Sequence, residues 1–180
     1  MPAPVAVMLH GSGGDPEQGL RLLEPFASEA GWIVLAPAST AYTWDVIVDR
    51  AGPDVPQIDS GLGWIFARYD VDPAGIVVGG FSDGASYALT VGLAHGDVFS
   101  HVIALSPGFI GNVAAVGKPR VFVAHGTHDT VLPIDRCSRR IVPRLERAGY
   151  DIVYREFVGG HEVRPQIVRE AVGWAAVRAR

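Results

Sequence analysis

Short runs of apolar, β-prone residues alternate along the chain with longer stretches whose apolar positions recur every three or four residues. Val5–Leu9, Trp32–Ala36, Gly75–Gly79, His101–Leu105, Arg120–Ala124 and Ile152–Phe157 have the length and the bordering turn residues of buried strands. Leu22, Leu23, Phe26 and Ala30 share one helical face after Asp15, a suitable N-cap, with Pro16 at the first helical position. Ile58, Leu62, Ile65, Phe66 and Tyr69 repeat at helical intervals, as do Ile167, Ala171, Trp174 and Ala175. Ile141, Leu145 and Ala148 predict a further helix, ended by Gly149 and kinked at Pro143.

Strands and helices in this alternation predict an α/β fold: a mostly parallel sheet of about six strands with right-handed crossovers and helices on both faces. Only the stretch Pro37–Val55 is an unusually long loop, and it is expected to wall a pocket. With no internal repeat, low-complexity tract or linker, residues 1–180 read as one domain.

Composition narrows the function. Apolar residues make up 48% of the 180 and charged residues 19%, a globular balance with enough apolar material for one sizeable core. A formal net charge of −4, with arginines only in short groups (Arg139–Arg140 and Arg178–Arg180, read as helical), argues against a nucleic-acid partner. Cys137 is the sole cysteine, which excludes an intramolecular disulfide and a Cys-rich zinc site and suits a reducing compartment. Residues Met1 to Leu9 lack the pattern of a signal peptide, and no apolar run reaches a bilayer span. A cytoplasmic location is the expectation; the oligomeric state is not legible.

Gly80-Phe81-Ser82-Asp83-Gly84 matches Gly-x-Ser-x-Gly between a predicted strand and the helix-compatible stretch Ala85–Ala94. Such a sharp strand-to-helix turn exposes a serine hydroxyl, and side chains at 80 and 84 would collide where it folds back. Ser82 also fits an ordinary helix N-cap. At the end of the first strand, His10-Gly11-Ser12-Gly13-Gly14 can aim backbone N–H groups into a cleft. The amides of Ser12 and Asp83, with Gly13 next in line, are candidate oxyanion donors. A phosphate-binding loop would need glycine spacings that this turn lacks, and Asp15 would repel phosphate. His10 is read as fixing the turn.

A serine nucleophile needs an imidazole to take its proton and a carboxylate to orient that imidazole. After Ser82, the chain offers His125-Gly126-Thr127-His128-Asp129 and Gly159-Gly160-His161, each just past a predicted strand. Open α/β sheets build their sites at those strand ends. Asp129 is the candidate acid, with Asp135 as substitute or as N-cap of the next helix, and His161 is the candidate base. His125 and His128 are read as loop-fixing or pocket-lining groups; His95 and His101 belong to the opposite edge.

On these motifs, which run from Leu9-His10-Gly11 to Gly160-His161, the sequence resembles the phospholipase/carboxylesterase branch of the α/β-hydrolases. The resemblance implies hydrolysis of small-molecule esters or thioesters by a Ser82–Asp129–His161 triad, with no cofactor. Three features depart from the pattern. The first two strands of an eight-stranded sheet are lacking, Ser106 to Pro119 is too short for a lid, and Asp83 puts a carboxylate beside the nucleophile. Its side chain is therefore expected to turn away into a local hydrogen bond. Tyr42, Trp44, Phe109 and Ile110 are candidate pocket walls or ordinary core. An acyltransferase or perhydrolase on the same triad, and a non-catalytic binding protein on the same fold, are the alternative functions.

Overall fold

The computed structural model describes residues 1–48 and 52–177. The predicted helical setting of Arg178–Arg180 and part of the 37–55 loop lie outside those residues. Six strands form one sheet: β1 (Ala3–Leu9), β2 (Ile33–Leu35), β3 (Val71–Phe81), β4 (His101–Leu105), β5 (Arg120–Gly126) and β6 (Ile152–Phe157), in the order β2-β1-β3-β4-β5-β6. Every neighbouring pair is parallel. Five helices connect them: α1 (Pro16–Ala30), α2 (Asp54–Phe66), α3 (Asp83–Ala94), α4 (Ser138–Arg147) and α5 (Pro165–Ala176).

The two-residue period of a strand sorts the core into two layers. Val5, Val7 and Leu9 of β1 belong to the layer on the side of α2, α3 and α4, which also holds Ile58, Leu62, Leu89, Ile141 and Leu145. Ala6 and Met8 face α1 and α5, against Leu23, Ala27, Val168 and Ala171. The same alternation runs through β4 and β5: Val102, Val121 and Val123 on one side, Ile103, Leu105 and Phe122 on the other. Because both faces are covered, these strands read as continuous apolar runs. Fully burying each such side chain stabilises by about 1.5–3 kcal/mol.

The predicted start of α1 is present in detail. Pro16 is its first residue, and the Asp15 carboxylate accepts a hydrogen bond from the Gln18 amide at 2.9 Å. Gly149, past the end of α4, has φ 80°, the left-handed turn that stops a helix. Pro143 lies inside α4. Of the boundaries that differ from expectation, two have a clear structural cause. β3 begins at Val71, four residues earlier than its apolar run, and pairs there with Ala3 across a register shift. And α4 is capped by Cys137, not Asp135: turns with Arg136 N–H bonded to Pro133 O and Cys137 N–H to Ile134 O precede it.

His101 opens β4 with its ring edge-on to Trp174, 5.1 Å between centroids. Its Nδ1 meets Ser100 Oγ at 2.8 Å, and its Nε2 has no hydrogen-bond partner. Burial, reinforced by the nearby Arg120, lowers its pKa from 6.5 to about 4. The unfolded chain takes up this proton near pH 6.5, whereas the folded protein resists it down to about pH 4. Stability therefore falls on acidification through that window. His101→Phe is expected to remove up to about 3 kcal/mol of that loss, read as a smaller drop in urea midpoint between pH 7 and pH 4 than in the parent. Among the described residues, no helix is long and apolar enough to cross a membrane.

Candidate active site

The C-terminal ends of β1, β3, β5 and β6 gather the four chemistry-bearing segments on one rim of the sheet. At the end of β3, Ser82 has φ 58° and ψ −120°, a strained conformation for a residue with a β-carbon. The backbone is held on both sides. Ser82 N–H donates to Leu105 O at 2.9 Å, and the Ala85 and Ser86 amides donate to Ser82 O at 3.0 Å each. Ser86 Oγ donates to the same carbonyl at 3.2 Å. The flanking glycines have the steric role expected of them. A Cβ at position 84 would lie 2.2 Å from Leu9 O, and one at 80 would lie 2.5 Å from the Gly84 carbonyl carbon. The chain can make this turn only where side chains are absent.

His161, in the loop between β6 and α5, lies 2.8 Å from Ser82 Oγ through Nε2 and 2.6 Å from Asp129 Oδ2 through Nδ1. The carboxylate accepts, so Nδ1 carries the proton and Nε2 is left as an acceptor for the serine hydroxyl. Asp129 is buried, and its Oδ1 accepts from the Val131 and Leu132 amides at 2.9 and 2.8 Å. Burial opposes its ionisation, but the His161 hydrogen bond and the Leu132 and Val131 amides outweigh it, and the pKa falls below the usual 3.8. Asp129 is therefore an anion across the neutral range. Asp135 is turned outward instead, accepting from Arg139 at 2.8 Å.

Around β1, His10 holds the glycine turn. Its Nε2 accepts from the Ser39 amide at 3.1 Å, so its Nδ1 carries the proton donated to Gly11 O at 2.8 Å. Gly13 N–H is engaged with Tyr42 O at 2.8 Å, and Gly14 N–H with Gly11 O at 3.0 Å. The amides of Ser12 and Asp83 have no acceptor among the described residues, which leaves those two, and not Gly13, available to an oxyanion. The Asp83 carboxylate accepts from Thr43 Oγ1 at 2.7 Å, a hydrogen bond but not the local one expected, because its partner is 40 residues away. Asp83→Asn keeps both the amide and an acceptor for Thr43. It is expected to change kcat/KM for neutral and anionic esters by less than about tenfold, well short of the ~100-fold or greater cost of a lost oxyanion donor. A larger gain on anionic esters would mean that the carboxylate faces the acyl site.

Of the four aromatic and aliphatic pocket candidates, Tyr42 is exposed and lies over Gly13. Phe109 is exposed beside Gly108, whose amide is held by Ser86 Oγ at 2.9 Å. Trp44 is a correction: it is fully buried, stacked 5.1 Å from Tyr87, and donates from Nε1 to His10 O at 2.9 Å. Trp44 is core that supports the oxyanion turn from beneath. Ile110 lines a separate cavity with Leu93, Leu145 and Tyr150, away from Ser82 and His161. His125 fixes the acid loop, as read from sequence. It is buried, with Nδ1 2.6 Å from Ser138 Oγ and Nε2 2.8 Å from Leu132 O and 3.2 Å from Asp129 Oδ2. His128 is exposed.

Two residues escaped the sequence reading. Thr43 sits in an aperiodic loop that gives no signal of its partner. Phe81, the variable position before the serine, packs its ring 4.7 Å from that of His161. No group of His, Cys, Asp and Glu suited to a metal ion occurs among the described residues.

Comparison with known proteins supplies the context. The Esterase family profile matches residues 62–141, the stretch that carries the serine turn and β4. No curated protein sequence matches. Among solved structures, esterase PE8 superposes with a TM-score of 0.75 at 25% identity, covering 97% of this chain and 94% of that one. The Bacillus cereus carboxylesterase gives 0.75 at 20% identity, covering 97% and 87%. The S-formylglutathione hydrolase FrmB of Staphylococcus aureus gives 0.80 at 16% identity, covering 98% and 82%. The profile match over residues 62–141 and the likeness to esterase PE8 support an esterase, and the parallel sheet with these superpositions shows an α/β-hydrolase fold.

Proposed function

We propose that the protein, acting as one domain of residues 1–180, hydrolyses carboxylic esters and thioesters of small or flexible acyl groups through an acyl-enzyme on Ser82. The observation that carries this reading is the unbroken path Asp129–His161–Ser82, with contacts of 2.6 and 2.8 Å. Nδ1–H of His161 donates to Asp129, so Nε2 receives the Ser82 proton as Oγ bonds to the carbonyl carbon. The charge that develops on the carbonyl oxygen meets the amides of Ser12 and Asp83. Collapse of the tetrahedral intermediate breaks the bond to the alcohol oxygen or thiol sulfur, which takes the proton from Nε2. Water then attacks the acyl-enzyme with Nε2 as base, and the carboxylic acid leaves as Oγ regains its proton. Each step uses side chains and amides already in position, and none calls for a cofactor. Cys137, free and buried, suits the cytoplasm, the compartment we assign.

A fluorophosphonate probe tests the reading against a non-catalytic binding protein. The expected result is one adduct per chain, located at Ser82 by mass spectrometry, together with loss of hydrolysis of p-nitrophenyl acetate. An unlabelled protein, or a label on another residue, overturns the proposal.

A further inference from the structure

A cavity of about 490 Å³ lies between α1 and α5, walled by Leu22, Phe26, Phe81, Val163, Pro165 and Val168. Its size and apolar lining are those of a small-molecule site. The arginine at its rim, Arg21, is paired with Glu17, and a second arginine, Arg169, lies over the ring of Phe26, 5.2 Å from its centroid.

Three features join this cavity to the catalytic rim. Phe81 precedes the nucleophile, and its ring forms one wall of the cavity while packing 4.7 Å from the His161 ring. Val163 and Pro165 follow His161 in the same loop and enter the opposite wall. Gln18 borders the cavity, and its side-chain oxygen lies where a Cβ on Gly14 of the oxyanion turn would be, 2.4 Å away. The cavity thus lies beside Phe81, on the imidazole side of Ser82, although neither Ser82 nor His161 lines it. That side has a defined chemical meaning: Nε2 of His161 must hand its proton to the departing oxygen, so the alcohol half of the ester lies alongside the imidazole.

Resting on the esterase mechanism proposed above, we infer that this cavity is the subsite for the alcohol half of the substrate, and that it takes an unbranched aliphatic alcohol arm of medium length. Each methylene placed in such a pocket adds transition-state binding, so the enzyme discriminates among esters by the alcohol more than by the acid. Phe81 then has two contacts with the reaction, one ring face toward the general base and the other toward the leaving group.

Two ester series measured by acid release test this: alkyl acetates from methyl to decyl, and methyl esters from acetate to decanoate. The parent enzyme is expected to favour octyl over methyl acetate in kcat/KM by at least about tenfold, with a flatter profile across the methyl esters. Leu22→Trp, which fills the cavity from a half-buried position on α1, is expected to bring the octyl-to-methyl ratio to within about twofold. Phe26→Ala, which widens it, is expected to move the optimum to an alcohol longer by two or more carbons. If Leu22→Trp does not fold, Phe26→Ala alone decides. A profile unchanged in the variants, or a preference that follows the acid chain, overturns the subsite while leaving the esterase reading intact. Absence of turnover on both series overturns the esterase reading, and the subsite with it.

Discussion

Replacing Asp129 by asparagine is expected to lower kcat/KM on ester substrates by about 10⁴-fold while leaving the protein folded. The reason is directional. Oδ1 accepts from the Val131 and Leu132 amides, and the amide oxygen of asparagine can keep both bonds. The NH₂ group must then take the place of Oδ2, facing Nδ1 of His161 at 2.6 Å and Nε2 of His125 at 3.2 Å. A donor facing Nδ1 forces the proton onto Nε2, and His161 then presents a hydrogen to Ser82 where it must present a lone pair. Steady-state kinetics on p-nitrophenyl acetate, alongside a circular-dichroism spectrum matching the parent, check the result. A loss smaller than about tenfold would remove Asp129 from the proposed mechanism, because the wrong tautomer alone accounts for several orders of magnitude.

Gly84→Ala is expected to damage both stability and rate. The new methyl would lie 2.2 Å from Leu9 O and 2.4 Å from His10 O, and both are backbone atoms at the end of a buried central strand. Neither can swing aside as a flexible side chain could, so the start of α3 must lift from β1. Forcing an extra carbon into close-packed surroundings costs about 1–3 kcal/mol. The same displacement separates the Asp83 amide from the oxyanion turn, and losing one such donor lowers the rate by ~100- to 1,000-fold. Gly63→Ala is the matched control. It lies inside α2 with nothing within 4 Å of the new Cβ, so it should stabilise by up to about 1 kcal/mol through helix propensity alone. The urea midpoints of the two variants should move in opposite directions from the parent, and kcat should fall for Gly84→Ala alone; a neutral Gly84→Ala would refute the crowding argument.

The strands were legible because both faces of the sheet are covered, which makes each one an apolar run long enough to stand out. Where that condition fails, so does the reading. Of the first four residues of β3, Val71-Asp72-Pro73-Ala74, Val71 pairs with Ala3 of β1, but the stretch carries an acid and a proline, and nothing local marks it as strand. Asp135 resembled a helix N-cap by residue type, yet Pro133 and Ile134 set up turns that delay the helix until Ser138, and the carboxylate serves Arg139 instead. The meeting of Ser82, Asp129 and His161 was legible because each lies within four residues of a strand's C-terminal end, and parallel topology brings such positions to one rim. Trp44 and Thr43 were not, since both lie in an aperiodic loop where burial and partnership depend on contacts tens of residues away.

That loop touches the chemistry at two consecutive residues. The carbonyl of Tyr42 accepts from the Gly13 amide, and the hydroxyl of Thr43 donates to the Asp83 carboxylate, so residues 42 and 43 grip the two segments whose free amides form the proposed oxyanion site. An engineer who transplants a different segment between β2 and α2 to reshape the entrance would therefore disturb turnover as well as selectivity. On the proposed subsite, remodelling confined to Leu22 and Phe26 of α1, which make no such grip, offers a way to change what is accepted without disturbing that turn.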